Sequence, residues 1–120
     1  MTTRWIGRYL VLLGFLHMGI GLVAFHGQLI GMFSEGLWDS LGSEAEREHG
    51  VFSILAGALL TMLGGLADAF EAQDIRFPRW FGWGLLAVFF AGAIVAPASG
   101  IWLLLPAAYA SLRRRYVGWW

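Results

Sequence analysis

The run Gly14-Phe15-Leu16-His17-Met18-Gly19-Ile20-Gly21 sets one imidazole among residues with no other polar side chain. Histidine moves protons near neutral pH and hydrogen-bonds ligands, so a lone one in an apolar stretch is the first residue to explain. At about 100° per residue, Leu10, Gly14, His17, Gly21, Ala24 and Gln28 share one helix face, so His17 is expected to point between helices. His26 lies half a revolution away, which excludes a site in which both histidines clasp one ion or haem from the same face.

A second polar stripe follows. Glu46, His49, Gly50, Ser53, Gly57, Thr61, Gly64 and Asp68 fall within a third of a helix circumference, with Phe52, Leu55, Leu59, Leu63, Leu66 and Phe70 opposite. Small residues let helix backbones approach and hydroxyls bond across the contact, so this stripe is first a packing seam. A rise of ~1.5 Å per residue sets His17 level with Leu59 to Thr61 and with Tyr109. A layer of His17, Thr61 and Tyr109 would then satisfy its own hydrogen bonds, which in hydrocarbon are costly to leave unmade. The expected ligand-binding set is His17, Thr61, Tyr109, Ser53, His49, Glu46 and Asp68, around an intramembrane pocket for a lipophilic small molecule. If the site is instead catalytic, His17 is the acid/base, with Tyr109 or Asp68 as second group. A dry seam without ligand is the plain alternative, and no cofactor is specified.

Asp68, at the end of its stripe, is expected to pair with Arg76, Arg79 or the Arg113 to Arg115 cluster. His26, Glu35, Asp39, Glu44, Glu46, Glu48 and His49 gather in one short region, but without HExxH or comparable ligand spacing no metal is expected there. The chain contains no cysteine, which excludes disulfides, thiolate metal sites and dithiol redox chemistry. Every basic residue is arginine and the formal net charge is zero, so a nucleic-acid partner has no electrostatic support.

The elements that must hold these residues are apolar. Of 120 residues, 58% are hydrophobic and 13% charged, and mean hydropathy is +0.66, the profile of a membrane protein. Four spans are expected, at 5–26, 48–70, 80–97 and 101–115, in a single transmembrane domain covering 1–120. The last is short and carries Pro106, where a kink or thinned membrane is expected. Four crossings put Arg4, Arg8, Arg76, Arg79, Arg113, Arg114 and Arg115 on one side and Arg47 on the other, so both termini are expected in the cytoplasm. Trp5, Tyr9, Trp80, Trp83, Tyr116, Trp119 and Trp120 would form the cytoplasmic aromatic belt, with Trp38 and Trp102 near the outer interface.

Between the first two spans, Leu29, Phe33, Leu37 and Leu41 recur at four-residue spacing, which suits a helix lying in the headgroup region; a loop packed on the spans is the alternative. Ser43 and Glu46 have capping-box spacing, so the second helix is expected to start there.

Taken together, FLHMGIGL, GALLTMLGGLAD, RFPRWFGWGLLA and PASGIWLLLPAA resemble a family of small bacterial four-helix membrane proteins known only as a domain of unknown function. The likeness covers nearly the whole chain, and the architecture is also DoxX-like. It implies an all-α polytopic membrane four-helix bundle and carries no activity or ligand; the inner (plasma) membrane is the expected location. The leading expectation is a binding or accessory protein that self-associates or joins a larger membrane complex. An embedded isomerase, cyclase or hydrolase acting on a hydrophobic substrate comes second, and a transporter or channel third.

Overall fold

In a computed structural model, residues 4–113 are described, and these form helices and connecting turns with no strand among them. The helices are α1 (Ile6–Ala24), α2 (His26–Glu35), α3 (Ala45–Ala72), α4 (Arg79–Val95) and, after a 3₁₀ turn at Gly100–Leu104, α5 (Leu105–Arg113). Contacts divide them into two compact units, one of residues up to Val11 and from Leu63 onward, the other Leu12–Met62. Helices α1 and α3 each contribute to both.

In the unit Leu12–Met62, α1 and α3 run antiparallel at backbone contact. A Cβ on Gly14 would lie 2.6 Å from the Thr61 nitrogen, and one on Gly57 would lie 2.8 Å from the Gly14 carbonyl oxygen. Further along, Gly21 meets Ser53, and Gly50 meets Phe25. A step of one or two turns along α1 thus matches an equal step backward along α3, which a polar, small-residue stripe on each helix permits. Outward, Phe15, Leu16, Ile20, Phe52, Leu55 and Leu59 are exposed.

Helix α1 stops at Phe25, whose φ of −115° and ψ of 19° leave the helical region. There the His26 ring donates from Nδ1 to the Val23 carbonyl at 2.9 Å, satisfying an acceptor that the helix end leaves open. Helix α2 begins at once and ends before Gly36, whose φ of +90° favours glycine. The expected helix through Leu41 is therefore corrected: Leu29 and Phe33 are helical, whereas Leu37 and Leu41 lie in the turns that follow. The Ser43–Glu46 capping box is not formed. The Glu44 carbonyl accepts from both Arg47 and Glu48, so the cap falls one residue after the predicted Ser43 and α3 begins at Ala45, and the Glu46 carboxylate is taken by Gln28 at 2.7 Å.

In the other unit, the first turns of α1 lie against the end of α3. A Cβ on Gly7 would strike the Asp68 backbone, and one on Gly64 would lie 2.5 Å from the Val11 nitrogen. Glu71, 3% exposed, accepts from the α1 backbone at Ile6 (3.3 Å) and Gly7 (2.9 Å). These N–H groups begin a helix and have no partner within it, so the carboxylate from α3 caps α1 and complements its dipole. Helix α3 closes in a Schellman turn: Ile75 donates to the Phe70 carbonyl and Asp74 to that of Glu71, with Asp74 at φ +53°.

Buried Phe77 then stacks between Phe70 and Phe81, with ring centroids 6.2 and 4.9 Å away, and carries the chain into α4. Phe81, Leu85 and Phe89, four residues apart, bury one α4 face, while Leu104, Ala107, Ala108 and Ser111 are buried on the segment beside it. Gly82 and Gly92 admit Leu112 and Ile101. Pro106 is the second residue of α5, where a missing N–H costs the helix little. The expected kink is a change from 3₁₀ to α geometry between Leu104 and Leu105.

Candidate functional site

His17 is placed by the seam but is not enclosed by it. Its Nε2 lies 3.4 Å from the Ser53 hydroxyl, at the long limit of a hydrogen bond, and the ring is exposed. Of the expected His17–Thr61–Tyr109 layer, His17 and Thr61 lie in this unit. Thr61 turns back to donate to the Gly57 carbonyl on its own helix at 2.9 Å, because the approach of Gly14 leaves its hydroxyl that partner. Tyr109 belongs to the other unit, with the Arg113 guanidinium 5.8 Å above its ring centre.

Of the remaining candidates, His49 is exposed and makes no hydrogen bond among the described residues. Glu46 holds Gln28. Asp68, also in the other unit, pairs with Arg4 at 2.8 Å and Arg8 at 3.4 Å and, among the described residues, not with Arg76, Arg79 or Arg113. The reason is the close approach at Gly7, which sets the first turn of α1 beside that carboxylate. Arg114, Arg115, Tyr116, Trp119 and Trp120 lie outside the described residues.

The polar centre of the unit Leu12–Met62 is Arg47, the one arginine within that stretch of the sequence. Its side chain, 13% exposed, holds both Glu35 oxygens at 2.7 and 2.8 Å and donates to the Ser40 carbonyl at 2.8 Å. Its Nε lies 2.9 Å from Glu44, an ion pair without the alignment of a hydrogen bond. The hydrogen bonds from Arg47, reinforced by its charge, hold the Glu35 carboxyl below its ordinary value of 4.5, outweighing desolvation. This four-point grip fastens the end of α2 to the start of α3. The signal was legible only as Glu35, Glu44 and Arg47 in one acidic stretch.

Fastened so, α2 leaves a groove of about 490 Å³ lined by Leu22, Met32, Phe33, Val51, Ile54 and the carbon edge of His26, among others. His17 is not on its wall. A second groove, of about 560 Å³, lies in the other unit between Trp5 and the Pro106, Tyr109, Ala110 and Arg113 face of α5. Among the described residues, no group of three His, Cys, Asp or Glu side chains is arranged to hold a metal ion.

Two helices, Ile6–Ala24 and Ala45–Ala72, are long and apolar enough to cross a membrane, and Arg79–Val95 is a shorter apolar helix. The class defined is thus an all-helical protein with helices of membrane-crossing length. The chain belongs to the family of unknown function DUF6463, whose model matches residues 1–118. No curated protein and no solved structure matches it.

Proposed function

We propose that this chain is a small multi-pass protein of the inner (plasma) membrane, crossing four times with both ends in the cytoplasm. Its role on this reading is binding or accessory: it holds a lipophilic small molecule or joins a second copy or a larger complex. The observation that carries the proposal is the exposed imidazole of His17. On α1 it stands among exposed Leu12, Phe15, Leu16 and Ile20, and its bond to Ser53 is long. In hydrocarbon such a group needs a partner, since an unmet polar group costs roughly 2–7 kcal/mol. A ligand with one polar group, or a helix of another chain, supplies it.

The carbon-lined groove beneath α2 supports a lipophilic occupant within the same unit. The short span at 101–113 fits four crossings as a 3₁₀ turn followed by α5, and α2 fits the headgroup region by its exposed Ile30 and Phe33. The test is extraction and mass spectrometry of small molecules, with blue-native electrophoresis of complexes, on the wild-type chain and on His17→Ala. The wild type is expected to carry a species, small molecule or partner chain, that the variant loses. Identical species on both would overturn the assignment.

The Ser53 hydroxyl beside His17 favours a second reading, a hydrolase-type enzyme in which the imidazole accepts the hydroxyl proton. It predicts that Ser53→Ala abolishes turnover while leaving association unchanged.

A further inference from the structure

We infer that the groove between Trp5 and α5 is a binding site for one anionic phospholipid, an inference that rests on the membrane reading above. Tyr109, Ala110 and Arg113 lie three, four and seven residues after Pro106, so the four share one face of α5. That face is not spent on the core, which takes Ala107, Ala108 and Ser111 from the other side of the helix. Trp5 forms the facing wall.

The wall is held in place. Tyr9 packs edge-on against Trp5, with ring centroids 5.9 Å apart, and donates its hydroxyl to the Leu103 carbonyl at 2.8 Å. In 3₁₀ register that carbonyl would look to the nitrogen of Pro106, which has no hydrogen to give. The same proline that lines the groove thus leaves an acceptor that ties α1 to the segment preceding α5. The groove is built by backbone chemistry rather than left by chance between side chains.

Its chemistry is divided. Pro106, Ala110 and the Trp5 ring offer carbon to an acyl chain, while Arg113 offers a guanidinium at one end. Among the described residues Arg113 has no carboxylate partner; its cationic face rests on the Tyr109 ring, 62% exposed. Guanidinium matches phosphate in charge and fork geometry, and tryptophan and tyrosine sit at headgroup level. The surrounding unit carries Arg4, Arg8, Arg76, Arg79 and Arg113 against Asp68, Glu71 and Asp74, so its field also favours an anion. An occupant with both a chain and a negative head answers every one of these features, whereas free phosphate answers only the guanidinium and the field and leaves the carbon walls bare.

The test is native mass spectrometry of the purified full-length protein, titrated with phosphatidylglycerol, with phosphatidylcholine and with inorganic phosphate. One saturable phosphatidylglycerol adduct is expected, bound more tightly than phosphatidylcholine and not displaced by inorganic phosphate. Arg113→Gln is expected to weaken it about tenfold, the loss of one charge-assisted bond. Ala110→Trp, which fills the groove and keeps the charge, is expected to weaken it too. Equal affinity for the two lipids, an unchanged adduct in both variants, or displacement by inorganic phosphate would overturn the inference. Cysteine labelling of the crossings is independent of this titration, so a chain that crosses as proposed without lipid preference sinks the lipid site alone.

Discussion

Gly14 and Gly19 lie five residues apart on one helix and differ in everything their surroundings ask of them. A Cβ on Gly14 meets the Thr61 backbone and the Gly57 carbonyl, groups that move only if the helices part. A Cβ on Gly19 meets nothing within 4 Å. Gly14→Ala is therefore expected to destabilise the fold by about 1–3 kcal/mol, while Gly19→Ala is neutral or slightly stabilising. Unfolding by sodium dodecyl sulfate, followed by circular dichroism, distinguishes the two, and equal behaviour would refute the tight seam. The sequence shows both as glycines in an apolar run. It separated them only because the helical period sets Gly14 with His17 and Gly21. By the same logic Glu71 was unreadable: nothing local announces that a carboxylate at the end of α3 caps a helix 64 residues away.

At the scale of elements, α2 depends on charge more than on its own helix. Ten residues are too few for a stable isolated helix, so α2 must be held by its neighbours. The grip of Arg47 on Glu35 and Glu44 supplies that hold. The Glu35 carboxyl titrates lower in the folded state than in the unfolded chain. Its contribution is thus fully present above its ordinary value of 4.5 and is lost as pH falls through the lowered folded value. Hydrogen exchange of the α2 amides is expected to quicken, after correction for intrinsic rates, as pH falls through that lowered value. In Glu35→Gln that acid-induced step is expected to shrink. A step of full size in the variant would assign the hold to other groups. Helix boundaries had local causes: Gly36 at φ +90°, the proline and glycine of the 97–100 turn, and His26, which takes the carbonyl of Val23 three residues back.

For the whole molecule, charge is distributed unevenly along the chain. Residues 12–62 hold Arg47 against Glu35, Asp39, Glu44, Glu46 and Glu48, while most arginines fall outside that stretch. If short arginine-rich segments stay in the cytoplasm, the turn before α3 faces outward and the turn after it faces inward. The absence of cysteine makes the test clean. Ser43→Cys in intact cells is expected to react with a membrane-impermeant maleimide, and Gln73→Cys only after permeabilisation. Labelling of both, or of neither, from outside would end the proposed topology.

Composition and period determined that the chain is helical, which faces of α1 and α3 meet, and that polar groups are too few to be left without purpose. These are local properties, since the polarity and size of each side chain and the 3.6-residue turn act wherever the chain goes. Only tertiary structure decided the partners: Ser53 for His17, Arg4 and Arg8 for Asp68, Glu71 for the start of α1, and Tyr9 for the carbonyl ahead of Pro106. Except for the Arg4 and Arg8 pair, chosen by how closely one glycine lets α1 approach α3, each joins a polar atom to whichever helix end or side chain packing brings within 3.5 Å. A single sequence does not encode that distance in any one stretch.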